Sequence, residues 1–276
     1  MYSFARKPIW LAGHALAGGL LVIFVIAGFW QLSRHNEVRD RNAAIVERTE
    51  MRPLDADRFF EAVSGAEIAD ELEHRLVTLP VEHFDWKDSV LIRNRSLNGQ
   101  AGCHIALPAA ATSHDTPEPF GVLLVAGWLP QRACAAWLEG EVGVVGSRLG
   151  PTSQITGRVR VSQERGLFGP SDPAQGRLDS LARTDVERID QQTTLDLVPV
   201  YLELVSARRA SGSRIKLGAN MPGLAVPQPL PPELDAGPHL GYTFQWFSFA
   251  AVAIVGYTLV LRHQARKGES EQIADD

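Results

Sequence analysis

The chain is most informative where charge is missing. No Asp, Glu, Lys or Arg occurs from Pro8 to Ser33, and none from Leu240 to Leu261. A surface helix of a soluble domain carries a charged face, so neither run reads as one. At about 1.5 Å of rise per residue, roughly 20 apolar residues cross a bilayer core, and both runs reach that length. Cysteine is scarce: Cys103 and Cys134 are the only two, and they are not a CxxC pair. A basic excess is missing too. The 27 Lys and Arg stand against 32 Asp and Glu, for a net charge of −5. That balance argues against nucleic acid, which calls for a clustered basic surface. There is no G-x-S-x-G, no H-E-x-x-H and no P-loop, so the chain carries none of the common signatures of hydrolases, zinc proteases or nucleotide enzymes and is read as a non-enzyme. Gly and Pro number 24 and 17 but are scattered without a repeat.

What remains is two apolar ends around an ordinary middle. Of 276 residues 45% are hydrophobic, yet mean hydropathy is near zero. Setting the ends aside leaves roughly 200 residues, enough for one domain with a real core. The first run follows Arg6 and Lys7 but is about twice a normal signal-peptide core. No Ala-x-Ala site follows it, so it reads as an uncleaved anchor. Basic residues flank both outer ends: Arg6 and Lys7, then Arg262, Arg266 and Lys267. The positive-inside rule then puts both tails in the cytoplasm, although Arg34, Arg39 and Arg41 pull the other way. The expected organisation is a cytoplasmic N-terminus (1–8), a first transmembrane helix (9–33), an extracytoplasmic domain (34–238), a second transmembrane helix (239–261) and a cytoplasmic tail (262–276). The expected location is a bacterial cell membrane, or the mitochondrial inner membrane if the source is eukaryotic.

The middle divides by pattern. Glu37 to Glu50 is charged, lacks Pro and Gly, and aligns Val38, Ile45 and Val46, so the first helix should continue beyond the membrane until Pro53 ends it. A second helix restarts at residues 54–57, with Asp55 or Asp57 as N-cap, and runs toward Ser64-Gly65. Residues 67–74 read as a short acidic helix. Strand signals follow at 75–79, 89–93, 103–107, 121–128, 153–162 and 198–205, with Asn98-Gly99 as a hairpin turn. Pro199 marks an edge or the start of its strand. Residues 177–192 read as helix, and the Pro-rich stretch 221–238 as an extended connector. The fold class is α+β: a two-helix transmembrane hairpin carrying one domain built on an antiparallel sheet or partly open barrel with a few helices. An oxidising compartment permits a Cys103–Cys134 disulfide, but sequence cannot bring their Cα atoms within reach, and the plainer reading is two buried apolar thiols. Cys103-His104 lacks the further ligands of a copper site.

Chemistry concentrates at the outer ends of the two runs. The first ends Gly28-Phe29-Trp30-Gln31-Leu32-Ser33-Arg34-His35, and the second begins His239-Leu240-Gly241-Tyr242-Thr243-Phe244-Gln245-Trp246-Phe247. Antiparallel helices bring these groups to one depth. Gln31, Arg34 and His35 share a helical face, as do His239, Tyr242, Gln245 and Trp246. Trp, Tyr and Arg belong to any membrane interface, and two glutamines can simply bond across a helix pair. The alternative is a cleft for an amphipathic ligand with an imidazole for a metal and a guanidinium for a carboxylate, a description heme meets. At the inner edge, His14 lies level with Tyr257. It reads either as a hydrogen bond between them or as a second heme or quinone contact.

Several segments resemble one family. Gly28-Phe29-Trp30-Gln31-Leu32-Ser33-Arg34 is similar to the G-x-W-Q-x-x-R motif of the Surfeit locus (Surf-one type) family of cytochrome c oxidase assembly factors. Val90 to Ser96, then Gly102 to Pro108, resemble its V-L-x-x-N-R and G-x-x-x-x-x-P segment. Gly127-Trp128-Leu129-Pro130 resembles its G-W-V-P strand, and residues 157–168 its G-x-x-R then G-x-F stretch. Pro238 to Phe247 resembles its N-H-x-x-Y-x-x-Q-W-F signature. Pro238 stands where Asn is usual, and Ala126 where Arg precedes Gly-Trp. The resemblance implies non-catalytic help in inserting or retaining heme a in the oxidase catalytic subunit. Heme a would be a transient cofactor, with His239 as iron ligand. Arg34, Trp30, Gln31, Tyr242, Gln245, Trp246 and His14 are further candidates for the heme site. The implied partners are oxidase subunits, heme a synthase and a respiratory supercomplex. The alternative role is a stable accessory subunit.

Overall fold

The two charge-free runs become long helices. In the computed structural model, which describes residues 3–65, 69–114, 118–139, 153–163, 169–209, 211–215 and 234–275, α1 spans Pro8–Glu50 and α6 spans His239–Asp275. As the sequence predicts, α1 continues through its charged half and stops before Pro53. The chain forms two compact units, one of Met1–Ala44 with Glu233–Asp276, the other of Ile45–Pro232.

The first unit is an antiparallel helical hairpin. Its packing is aromatic against small: a Cβ on Gly28 would lie 2.8 Å from the Phe247 ring, so only glycine admits that ring. Phe29 meets Phe247 edge-on at 5.3 Å, and Phe24 lies 5.9 Å from Trp246 and 5.7 Å from Phe249. Both helices are long and apolar enough to cross a membrane, and almost none of either apolar window is buried. Ile23, Ile26, Phe244 and Val252 point outward. A core helix of a soluble protein would hide that surface.

The second unit is built on strands. After the last turns of α1 come α2 (Ala56–Ser64) and α3 (Ala69–Leu72), then β1 (Leu76–Phe84), β2 (Val90–Leu97), β3 (Gln100–Ala111) and β4 (Phe120–Pro130). Helix α4 (Gln131–Leu138), β5 (Ser153–Val161), β6 (Ser180–Leu181), α5 (Val186–Asp190), β7 (Leu197–Arg208) and β8 (Arg214–Ile215) follow. Asp55 caps α2, accepting from the Arg58 N–H at 3.0 Å. Asn98 and Gly99 both take positive φ, 50° and 78°, which fits the tight turn joining β2 to β3.

Among the described residues, eight strands form one sheet in the order β1-β5-β7-β4-β3-β2-β6, with β8 on β7. A further pairing of β1 with β3, at Val81–Phe84, turns five of these strands into a ring. The inward positions alternate. Val77, Leu79, Val122, Leu124, Ile155 and Leu202 fill the interior together with Phe59 of α2. The opposite face of β4 is apolar as well, because Leu123 and Val125 are covered by Leu181, Val186 and Ile189. Burial on both faces explains the unbroken apolar run of residues 121–128.

Two expectations need correction. The sheet is mixed, not antiparallel: β4 runs parallel to β7 and β2 parallel to β6. A parallel pair needs a long crossover, and residues 131–196 supply it between β4 and β7. Residues 177–192 do not form one helix. Leu181 pairs with Ile92 in a strand, and only Val186–Asp190 is helical, started by Asp185, whose carboxylate accepts from the Arg188 N–H. Asp179, Ser180, Thr184 and Asp185 favour local side-chain bonds and caps over helix interior. Of the two readings of Pro199, the strand start holds and the edge does not, since β7 begins at Leu197 and lies between β4 and β5. The proline sits near the start of the strand, where the β4 register slips between Gly121 and Leu123 and no ladder bond from its nitrogen is required. Most of the Pro-rich connector lies outside the described residues. The cysteines, left open by sequence, form a disulfide from β3 to α4 with Cα atoms 6.2 Å apart.

Candidate functional site

The outer end of the hairpin is organised around one hydrogen bond. Gln31 of α1 and His239, the first residue of α6, meet with Nδ1 of the imidazole 2.9 Å from Oε1 of the amide. An amide oxygen only accepts, so the Nδ1–H donates and the ring is held in the tautomer whose Nε2 carries a lone pair. A metal-bound histidine has this second-shell arrangement: one ring nitrogen donates to a fixed oxygen and the other faces the metal. Thr243, one turn on, donates its hydroxyl to the His239 carbonyl at 2.9 Å and lies buried against the helix. Farther along α1, Asn42 holds the chain just before α6 by donating to the Leu234 carbonyl at 2.9 Å. His35, one turn after Gln31 on the same face, has a buried Nδ1 without a hydrogen-bond partner among the described residues.

The other predicted residues surround this pair unequally. Trp30 and Tyr242 are exposed, at 62% and 47%, and Phe244 at 76%. Gln245 is exposed. Trp246 turns instead to Phe24 and Phe249 and serves the helix packing. Arg34 pairs with Glu37 at 2.8 Å. Both side chains are about half exposed, and such pairs contribute roughly 0–1 kcal/mol, so this guanidinium is easily released to another carboxylate. His14 meets Tyr257 with its Nδ1 and the Ala5 carbonyl with its Nε2, so both ring nitrogens are engaged. Among the described residues no cluster of His, Cys, Asp or Glu is built to hold a metal ion unaided. A ligand carrying its own metal and needing one imidazole fits the His239–Gln31 pair, which among the described residues leaves that Nε2 without a hydrogen-bond partner.

A second polar assembly lies in the sheet unit, on the barrel face opposite the interior, and it joins segments to which sequence assigned no role. Trp128 lies over Gly102, where a Cβ would be 2.5 Å from the indole and 2.0 Å from the Leu129 carbonyl. Its Nε1–H donates to the Arg95 carbonyl at 3.2 Å. Arg95 in turn donates to Gln163 at 3.0 Å, and Gln163 donates to the Tyr201 hydroxyl. Next along the face, Glu203 bridges Arg158 at 3.3 Å and Arg160 at 3.2 Å, and Arg160 also reaches Glu73 at 3.4 Å. Burial pushes the Arg95 guanidinium below its ordinary range and the Tyr201 phenol above its own. The signal available in sequence was the recurrence of arginine in the V-L-x-x-N-R and G-x-x-R segments. Only the strand pairing shows that they face one another.

His104 of β3 shares this face, opposite Trp128 in the ladder. Burial, and then the nearby Arg95 charge, lower its pKa to about 4. The unfolded chain therefore takes up a proton below about pH 6.5 that the folded chain refuses until about pH 4. Stability is full above pH 6.5 and falls as pH drops through that window, by about 2–3 kcal/mol at pH 4.5. His74, lowered by burial and by Arg160, adds to the same slope. Denaturant midpoints of the detergent-solubilised chain should fall from pH 7 to 4.5. His104→Gln should flatten most of that dependence.

Sequence comparison matches residues 19–251 to a family described as the SURF1 family. The chain is 23% identical over 257 residues to a SURF1-like protein of Rickettsia bellii (strain RML369-C), covering 90% of each chain.

Proposed function

The chain belongs to the SURF1 family, generally cytochrome oxidase assembly factors, and from that premise we propose that it assists insertion or retention of heme a in the oxidase catalytic subunit by binding rather than by catalysis. In this reading α1 and α6 cross the membrane, both tails are cytoplasmic and the sheet unit lies outside. The Cys103–Cys134 bridge supports that side, because disulfides persist in oxidising compartments. The observation that carries the heme reading is the His239–Gln31 bond, which fixes the imidazole and leaves Nε2 available. Heme a is the cargo. His239 would offer its iron a nitrogen, Gln31 would hold that ring, Trp30 and Tyr242 would offer apolar contact, and Arg34 would take a propionate.

Heme a synthase and the oxidase catalytic subunit are the partners this reading requires. Affinity purification of the full chain from cells unable to make heme a, and from wild type, tests it. Preferential recovery of heme-deficient catalytic subunit supports an assembly role. Recovery at fixed stoichiometry with mature, active oxidase, alone or within a respiratory supercomplex, would instead indicate a stable accessory subunit.

A further inference from the structure

The outer barrel face around Arg158 and Arg160 is not electrically closed. Arg158 and Arg160 share the carboxylate of Glu203, Arg160 also reaches Glu73, and Arg95 adds a further guanidinium alongside them. Among the described residues no carboxylate lies within ion-pairing distance of Arg95, whose side chain is answered by the neutral amide of Gln163. Five buried side-chain atoms lack a hydrogen-bond partner among the described residues, and two belong here: Arg158 Nε and His74 Nδ1. The Arg158 side chain is only 8% exposed. A buried donor left unpaired costs stability, so the Arg158 Nε–H marks where an acceptor is missing. The place is reachable, because Arg160 and Glu73 are 26% and 33% exposed.

We infer that this face is a binding site for one carboxylate group, held by Arg160 and Arg95 at the rim and Arg158 beneath. The class follows from the charge. Two resident carboxylates disfavour a phosphate dianion here, and a guanidinium fork matches a carboxylate's two oxygens. The carboxylate can come from an acidic side chain of a partner polypeptide or from a small free acid. The site belongs to the sheet unit and does not rest on the heme reading.

The test uses the full chain in detergent micelles with a fluorescein-labelled dodeca-glutamate peptide, a dodeca-glutamine control, and sodium propionate as competitor at constant ionic strength. The glutamate peptide is expected to bind and propionate to displace it. Arg160→Gln and Arg95→Gln should weaken binding at least tenfold, while Arg209→Gln, at an exposed site elsewhere, should leave it unchanged. Because an arginine variant can lose binding by misfolding, Glu203→Gln supplies the converse. Removing a resident negative charge should tighten binding several-fold. Propionate binding without peptide binding supports the site and assigns it to a free acid. Equal binding of the glutamate and glutamine peptides, or binding of peptide and propionate indifferent to Arg160→Gln and Glu203→Gln, overturns the inference.

Discussion

Replacing His239 with alanine is expected to abolish heme binding: the chain produced together with heme a synthase should show a Soret band, and His239→Ala should lack it. The expectation rests on the state of each ring nitrogen in the hairpin. His239 commits Nδ1 to Gln31 at 2.9 Å and, among the described residues, leaves Nε2 without a partner. His14 commits both nitrogens, to Tyr257 and to the Ala5 carbonyl. A heme iron needs one free nitrogen, so His14→Ala should leave the band in place. Gln31→Leu keeps the imidazole but removes the oxygen that fixes its tautomer. Loss of such an outer partner lowers metal affinity by about 10–100-fold, so this variant should bind weakly rather than not at all. Arg34→Gln should cost less, since its partner today is an exposed Glu37. Unchanged heme content in His239→Ala would remove the imidazole from the account.

Reduction of the disulfide should have the largest effect on stability. Cys103 lies in β3 and Cys134 in α4, with a sequence separation of 31. Closing a loop of that length removes enough denatured-chain entropy to stabilise the fold by about 3–4 kcal/mol, on the chain-entropy account. The bridge also fixes α4, which packs on the cluster of Leu91, Ile105 and Leu129. Cys103→Ala with Cys134→Ala should therefore lower the denaturant midpoint of the sheet unit markedly, and reductant should do the same to the native chain. A midpoint indifferent to reductant would show that the two sulfurs are not joined in solution.

How much of this was legible beforehand varies with the range of the interaction involved. The hairpin was legible because it depends on local composition: absent charge over two long runs, and residue types at helical spacing. Those spacings also set Gln31 level with His239 and His14 level with Tyr257, and both pairs are hydrogen-bonded. Strand existence was legible from alternation, and the β2–β3 turn from Asn98-Gly99. Strand order was not. The parallel β4–β7 pair depends on a crossover whose course no local pattern records. The stretch 177–192 misled because Leu181, Val186 and Ile189 lie at near-helical spacing, yet they cover a sheet face from a short strand and a short helix. The arginine-rich face was invisible for the same reason. Arg95, Arg158 and Glu203 are far apart in sequence and meet only through the pairing of β2, β3, β4, β7 and β5. Family resemblance had marked two of its arginines, Arg95 and Arg160, without any physical role.

Everything proposed for the rim depends on which side of the membrane residues 45–232 occupy. Protease added to sealed right-side-out vesicles, with tags on both termini, measures that directly. The account predicts that the sheet unit is cut from outside while both tagged tails stay protected, and that inverted vesicles give the converse. Cleavage of the sheet unit only in inverted vesicles would contradict it, and would leave His239 and its glutamine facing the cytoplasm.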